Sequence, residues 1–182
     1  MFEREDDAHR FMRVLPKRLG KFGLCLNVQK TRLIAFGKRQ TWQMFKAGQR
    51  PATFDYLGFT HYWGRSRTGK ARLKRKTSKK RLRRALVEIN HWLRRERNAR
   101  KLPDLWQATA RKMRGHFNYF GVTDNSLSLE KFGFEVRRLL FKWLNRRSQR
   151  RSFTWESLAR YEARYPLPRP PRLVSLNPVW SK

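Results

Sequence analysis

The chain has 182 residues, enough for one domain or two small ones with a buried core. Its 45 Lys and Arg against 13 Asp and Glu give a net charge of +32. So basic a surface repels itself unless a polyanion neutralises it, which points first to nucleic acid and second to an anionic membrane; no run approaches the roughly 18 apolar residues of a spanning helix, and the cations extend over the whole chain rather than along one amphipathic segment.

The N-terminus, "MFEREDDAHRFM", has no apolar h-region of a secretory signal, so the expected location is the cytoplasm. "DDAHRFMRVLPKRLGKFG" sets Phe11, Leu15, Leu19 and Phe22 at helical spacing, with Pro16 expected to kink or split the helix. Asp6 and Asp7 head that helix, where its dipole favours acids, and no third carboxylate accompanies them as a metal site would require. Cys25, the lone cysteine, lies between Leu24 and Leu26 and reads as inert core. With no second Cys and no paired His spacing, neither a zinc site nor a cofactor is expected.

"LCLNVQ", "RLIAFG", "WQMF" and "FDYLGFTHYW" are strand candidates, the last two joined through the turn-rich "KAGQRPA". Five aromatics (Phe54, Tyr56, Phe59, Tyr62, Trp63) surround Gly58 there, and a glycine in a strand often marks close approach of another backbone or a ligand. Residues 65–84 then hold twelve Lys and Arg and no acid. A turn at Gly69 and a strand lead to a helix capped by Thr77 or Ser78. Self-repulsion makes a plain solvated face costly, so Arg72, Lys74, Arg75, Lys76, Lys79, Lys80, Arg83 and Arg84 are candidate phosphate contacts.

Three amphipathic helices follow. The first carries Leu82, Ala85, Leu86, Ile89, Trp92 and Leu93 on one face, which turns Lys79, Lys80, Arg83, Arg84, Arg94 and Arg95 outward. The second opens at Pro103 and runs through Leu105, Trp106, Met113, Phe117 and Phe120 to Gly121. In it "RKMRGHFNYFG" interleaves Arg111, Arg114, His116, Asn118 and Tyr119 with packing residues, a mixture suited to RNA, while Gly115 would allow a close helix crossing. The third starts near Asn125 and aligns Phe132, Val136, Leu139, Leu140, Trp143 and Leu144. Arg146, Arg147, Arg150 and Arg151 form one more basic cluster, before a short helix near Trp155–Arg164 and the tail "YPLPRPPRLVSLNP", expected to be extended. The expected fold is α+β: a small antiparallel β region with a helix, then an antiparallel three-helix bundle and a proline-rich tail. The segments are 1–64, 65–76, 77–165 and 166–182.

In order, "RLGKFGLCLNVQKTRLIAFG" (18–37), "FDYLGFTHYWG" (54–64), "RGHFNYFG" (114–121) and "LNRRSQRRSFTW" (144–155) resemble the C-terminal part of group II intron-encoded reverse transcriptases. That likeness implies late palm in 1–64, thumb and maturase domain in 77–165, and a primer-grip-like hairpin at Tyr56, Leu57, Gly58 and Phe59. It makes Lys30 an accessory to nucleotide addition. The family's catalytic Asp pair, in "Y-A-D-D", would precede residue 1, and no self-sufficient catalytic set stands in this chain. The expectation is a module that binds structured intron RNA or RNA–DNA template–primer and can aid splicing. Two alternatives stand beside it: half of a split RNA-directed DNA polymerase needing a fingers–palm polypeptide, and a non-functional truncated mobile-element remnant.

Overall fold

The computed structural model describes residues 2–66, 68–149 and 152–176. They fall into two compact units, divided between Ala52 and Thr53.

The first unit holds α1 (Glu5–Gly20) and α2 (Lys38–Lys46). Glu5, Asp6 and Asp7 occupy the first turn of α1, where its dipole favours acids, and the helix runs through Pro16 as one element. The strands expected at 24–29 and 32–37 do not form. Asn27 instead organises a local turn, its carbonyl and side chain accepting from Lys30 N at 3.2 and 3.1 Å. A short apolar run becomes a strand only where a neighbour completes its ladder. "WQMF" lies inside α2, where Lys38, Arg39 and Gln40 supply helix formers and Gly37 and Gly48 bound the segment. Cys25 is exposed, not core, because the strand that would have buried it is absent.

In the second unit, β1 (Phe54–Tyr56), β2 (Phe59–Arg65) and β3 (Ala71–Thr77) form an antiparallel sheet in sequence order. Tyr56 pairs with Phe59 and Phe59 with Thr77, so Leu57 and Gly58 are a two-residue hairpin turn. Their φ values, +48° and +81°, are the left-handed pair that matches strand twist. Gly58 therefore belongs to the turn rather than to a strand. A Cβ on it would meet Arg81 Cγ at 3.3 Å and Phe120 Cε1 at 3.4 Å, so the backbone that approaches closely meets this chain's own side chains.

Thr77 and Ser78 lead directly into α3 (Lys79–Glu96), followed by α4 (Leu102–Phe120), α5 (Ser126–Leu144) and α6 (Trp155–Arg164). Ser78 is the N-cap of α3, its Oγ accepting from Arg81 N at 3.3 Å. Consecutive bundle helices are antiparallel: Lys112 lies over Trp92, while Phe117 packs edge-on to Phe132 at 5.7 Å. In consequence α3 and α5 are parallel, joined at their starts through Thr77 and Asn125 and near their ends through Asn90 and Trp143. Leu93, Leu105, Met113, Phe117, Leu129, Phe132, Val136, Leu140 and Leu144 are buried in one core with Phe59. With six helices and this sheet, the described residues have the expected α+β class.

Asn125, 1 % exposed, ties sheet to bundle. Its Oδ1 accepts from Thr77 N at 2.7 Å, and its Nδ2 donates to Thr77 Oγ1 at 2.9 Å and to Phe120 O at 2.8 Å. Further along, Leu167 is buried, Trp106 Nε1 donates to Tyr165 O at 2.9 Å, and Val174 bridges Val122 in parallel.

Candidate nucleic-acid interface

Strand alternation sorts the cations of β3. Arg72, Lys74 and Lys76 share the face of Thr60, Tyr62 and Gly64, whereas Arg75 pairs with His61 on the opposite, aromatic face. On the cationic face the Lys74 stem lies across Gly64, which has no Cβ to obstruct it, and the Lys76 ammonium sits 5.0 Å from the Tyr62 ring centroid. Arg72 approaches Asp124 at 3.9 Å. Burial, and secondarily the charge of Asp124, raise the pKa of Tyr62. On the aromatic face His61 stacks on Phe54 at 4.9 Å. Burial and then the Arg75 charge lower its pKa.

The cationic strand continues into α3, where Lys79, Lys80, Arg83 and Arg84 are exposed as expected from the apolar face. Arg84 meets Glu88 at 2.8 Å, a solvated i,i+4 pair of small value. Lys79, Lys80 and Arg83 have no carboxylate partner among the described ion pairs. The first turn of α3 meets the hairpin tip in a cleft of about 300 Å³ lined by Tyr56, Leu57, Gly58, Lys80, Arg81 and Arg84. Two carbonyls of the tip are committed: Ser78 N donates to Gly58 O at 2.9 Å and Tyr119 Oη to Leu57 O at 3.0 Å. The side chains of Tyr56 and Leu57 remain 62 % and 65 % exposed, while Phe59 is buried against Tyr119 and Phe120.

On α4, Arg111, Arg114, Asn118 and Tyr119 face solvent and Met113, Phe117 and Phe120 face the core. His116 does not join the exposed set. It stacks on Phe132 with centroids 3.6 Å apart, its Nε2 has no hydrogen-bond partner, and burial lowers its pKa to about 4. A Cβ on Gly115 would meet nothing within 4 Å, so that glycine serves no helix crossing.

At the end of the bundle Arg146 is exposed beside Trp143, 5.5 Å from its ring centroid. Arg147 is occupied structurally, its guanidinium donating to Arg100 O at 2.9 Å. Arg150 and Arg151 lie outside the described residues. Lys30 is exposed in the Asn27 turn of the first unit. Sequence reasoning passed over Arg81, which crosses the face of Gly58, together with Arg97 and Lys142, which flank Trp143. The adjacency of Lys142 and Trp143 was readable; the convergence of two helix ends was not.

Sheet, cap and bundle thus define an α+β protein that presents cations along the β3–α3 edge and on the exposed side of α4. Within it, residues 82–161, from α3 into α6, match the family model of the group II intron, maturase-specific domain. No curated protein and no solved structure matches the chain. Among the described residues no helix is long and apolar enough to cross a membrane.

Proposed function

We propose that this chain holds folded group II intron RNA, with the β3–α3 edge as the principal phosphate-binding surface and the hairpin tip as a contact to the RNA or template–primer. The observation that carries the reading is the run Lys79, Lys80, Arg83 beside Arg72, Lys74 and Lys76, whose cations outnumber the acids near them on a bundle matching a maturase domain. Phosphate contacts supply most of nucleic-acid affinity and make it salt-dependent. On α4, Arg111 and Arg114 extend the phosphate surface, while Asn118 offers amide hydrogen bonds to unpaired bases.

The hairpin tip supports a contact role independently. Leu57 has φ +48°, where Asn or Gly would be at ease, yet presents an apolar side chain to solvent. Backbone strain held at an exposed apolar residue is a feature of contact sites.

Filter binding of the full chain to folded intron RNA and to a length-matched unrelated RNA tests the reading. We expect preference for the intron and an affinity that falls steeply with salt. Replacing Lys79, Lys80, Arg83 and Arg84 by Glu should leave the fold intact, with a urea midpoint no lower than that of the wild type, and weaken RNA binding at least tenfold. Equal affinity for both RNAs removes the maturase assignment; unchanged affinity in the variant removes this edge from the interface.

A further inference from the structure

The parallel helices α3 and α5 end side by side, and between their C-terminal ends lies a cleft of about 720 Å³. Arg94, Arg97, Lys142 and Arg146 line it, with Asn90 and His91. Its base is Trp143, 6 % exposed, whose Nε1 donates to Asn90 Oδ1 at 2.9 Å. The cationic groups of Arg97, Lys142 and Arg146 stand 4.9, 5.0 and 5.5 Å from the Trp143 ring centroid. All three are within the reach of cation–π attraction, which holds cations in place without neutralising them.

Cations at helix C-termini need no ligand when they only balance the macrodipole. Two helix ends supply about −0.5 elementary charge each, so roughly −1 in total. Four permanent cations exceed that by about +3 elementary charges. None of the four meets a carboxylate among the described ion pairs, although acids are near in sequence: Glu96 is taken by Arg95 and Arg100, and Glu135 by Arg138. The acids nearest in sequence are spent on neighbouring cations and the cleft keeps its charge.

We infer that this cleft binds two or three phosphates brought together by a turn of folded RNA backbone, and that it reads backbone shape rather than base identity. The inference rests on the RNA-binding reading above but uses other residues. A base cannot stack on Trp143, because the ring is buried and crowded by cations, whereas stacking platforms are open aromatic faces. Amide readout is narrowed as well: Asn90 Oδ1 is engaged by Trp143, which leaves that amide as a donor only, and Asn145 is engaged at both ends by Phe153. What remains is a concentration of donors, which suits phosphate oxygens. An extended strand spaces its charges along a line; a cluster in one cleft matches phosphates gathered by a bend.

Titration calorimetry of the full chain at fixed ionic strength, with tripolyphosphate and orthophosphate as probes, tests the site directly. Tripolyphosphate should bind one to one and at least tenfold more tightly than orthophosphate. Joint replacement of Arg94, Arg97, Lys142 and Arg146 by Gln should abolish that difference, and Gln at Lys79, Lys80, Arg83 and Arg84 should not. For folded intron RNA the cleft variant should lose about 2 units of log–log salt slope, at about 0.7–0.9 per phosphate, with little change for an unstructured strand of equal length. If the joint variant unfolds, the exposed pair Arg94→Gln and Arg146→Gln carries the test, with at least a threefold loss expected. Tripolyphosphate binding lost equally in both quadruple variants, or no preference over orthophosphate, overturns the site. Tripolyphosphate binding with no effect on RNA assigns the cleft to a free polyphosphate and overturns the RNA claim. RNA binding that depends on the α3 edge but not on the cleft sinks this inference alone; a chain that binds tripolyphosphate here yet ignores RNA sinks the proposed function.

Discussion

Leu57 holds a left-handed backbone at φ +48° in a turn whose partner, Gly58, adopts +81°. An L-residue with a Cβ pays roughly 1–2 kcal/mol in that region, and Asn is among the few that tolerate it. Leu57→Asn should raise stability by about 0.5–1 kcal/mol in urea denaturation, since the Leu side chain is mostly exposed and gives up little burial. The same variant should bind RNA more weakly if the tip is a contact. Stabilisation with undiminished affinity would leave the strain without a functional reason. His116 makes a second residue-scale case. Its folded pKa, about 4, lies below the unfolded 6.5, because the ring is buried against Phe132. Protonation therefore favours the unfolded chain: the histidine's contribution is whole above pH 6.5 and is lost as pH falls toward 4. The slope has a ceiling of about 1.4 kcal/mol per pH unit, reduced here because the ring is only partly buried. Arg81, Lys112 and Glu88 line the same groove. His61 titrates in the same direction, from burial and then Arg75. The difference between wild type and His116→Phe isolates the effect; parallel stability curves from pH 7 to 4.5 would refute it.

At the scale of elements, the join between sheet and bundle depends on Asn125. Asn125→Ala would strand Thr77 N–H and Thr77 Oγ1 without their partners, and would leave Phe120 C=O with Val122 N alone, in a site from which water is excluded. Each unsatisfied group costs about 1–3 kcal/mol, so a loss of about 2–4 kcal/mol is expected in chemical denaturation. Amide exchange should quicken first at Thr77 and the start of α5. A loss below 1 kcal/mol would mean that the apolar contacts of Phe59 and Phe120 suffice. The bundle was legible in the sequence because Leu82 to Leu93, Leu105 to Phe120 and Phe132 to Leu144 each present one face at helical period, and those residues do form the core. The hairpin was not legible from its residues, which read as one strand interrupted by Gly58; only the family likeness implied a turn there, and the structure puts Leu57 and Gly58 in it. The segment 24–46 was no more legible: "LCLNVQ", "RLIAFG" and "WQMF" are apolar runs too short for periodicity to separate strand from helix or loop, and strand formation depends on a neighbour that no local pattern encodes. The same limit applies to the interface. The outward cations of α3 follow from its apolar face, but the commitment of Arg147 to Arg100 O, and the crossing of Gly58 by Arg81, depend on how distant elements meet.

For the molecule as a whole, a net charge of +32 sets two responses to salt against each other. In the free chain, Lys79, Lys80 and Arg83 on the α3 edge and Arg94, Arg97, Lys142 and Arg146 around Trp143 repel their own neighbours, and few carboxylates offset them. That repulsion acts over about a Debye length, near 30 Å at 0.01 M salt but about 8 Å at 0.15 M. Raising salt over that range should therefore stabilise the free protein, with a higher midpoint in urea, a denaturant that adds no ions of its own. The complex should answer oppositely, because each phosphate contact releases counterions and is weakened as salt rises. Ordinary packing predicts neither sign. If the charge exists to hold RNA, the protein on its own gains stability from the same salt that strips it from its ligand. A urea midpoint that is flat or falls between 0.01 and 0.15 M salt would show that the cations are already neutralised within the fold, and the reading of the β3–α3 edge as an unpaired phosphate surface would go with it.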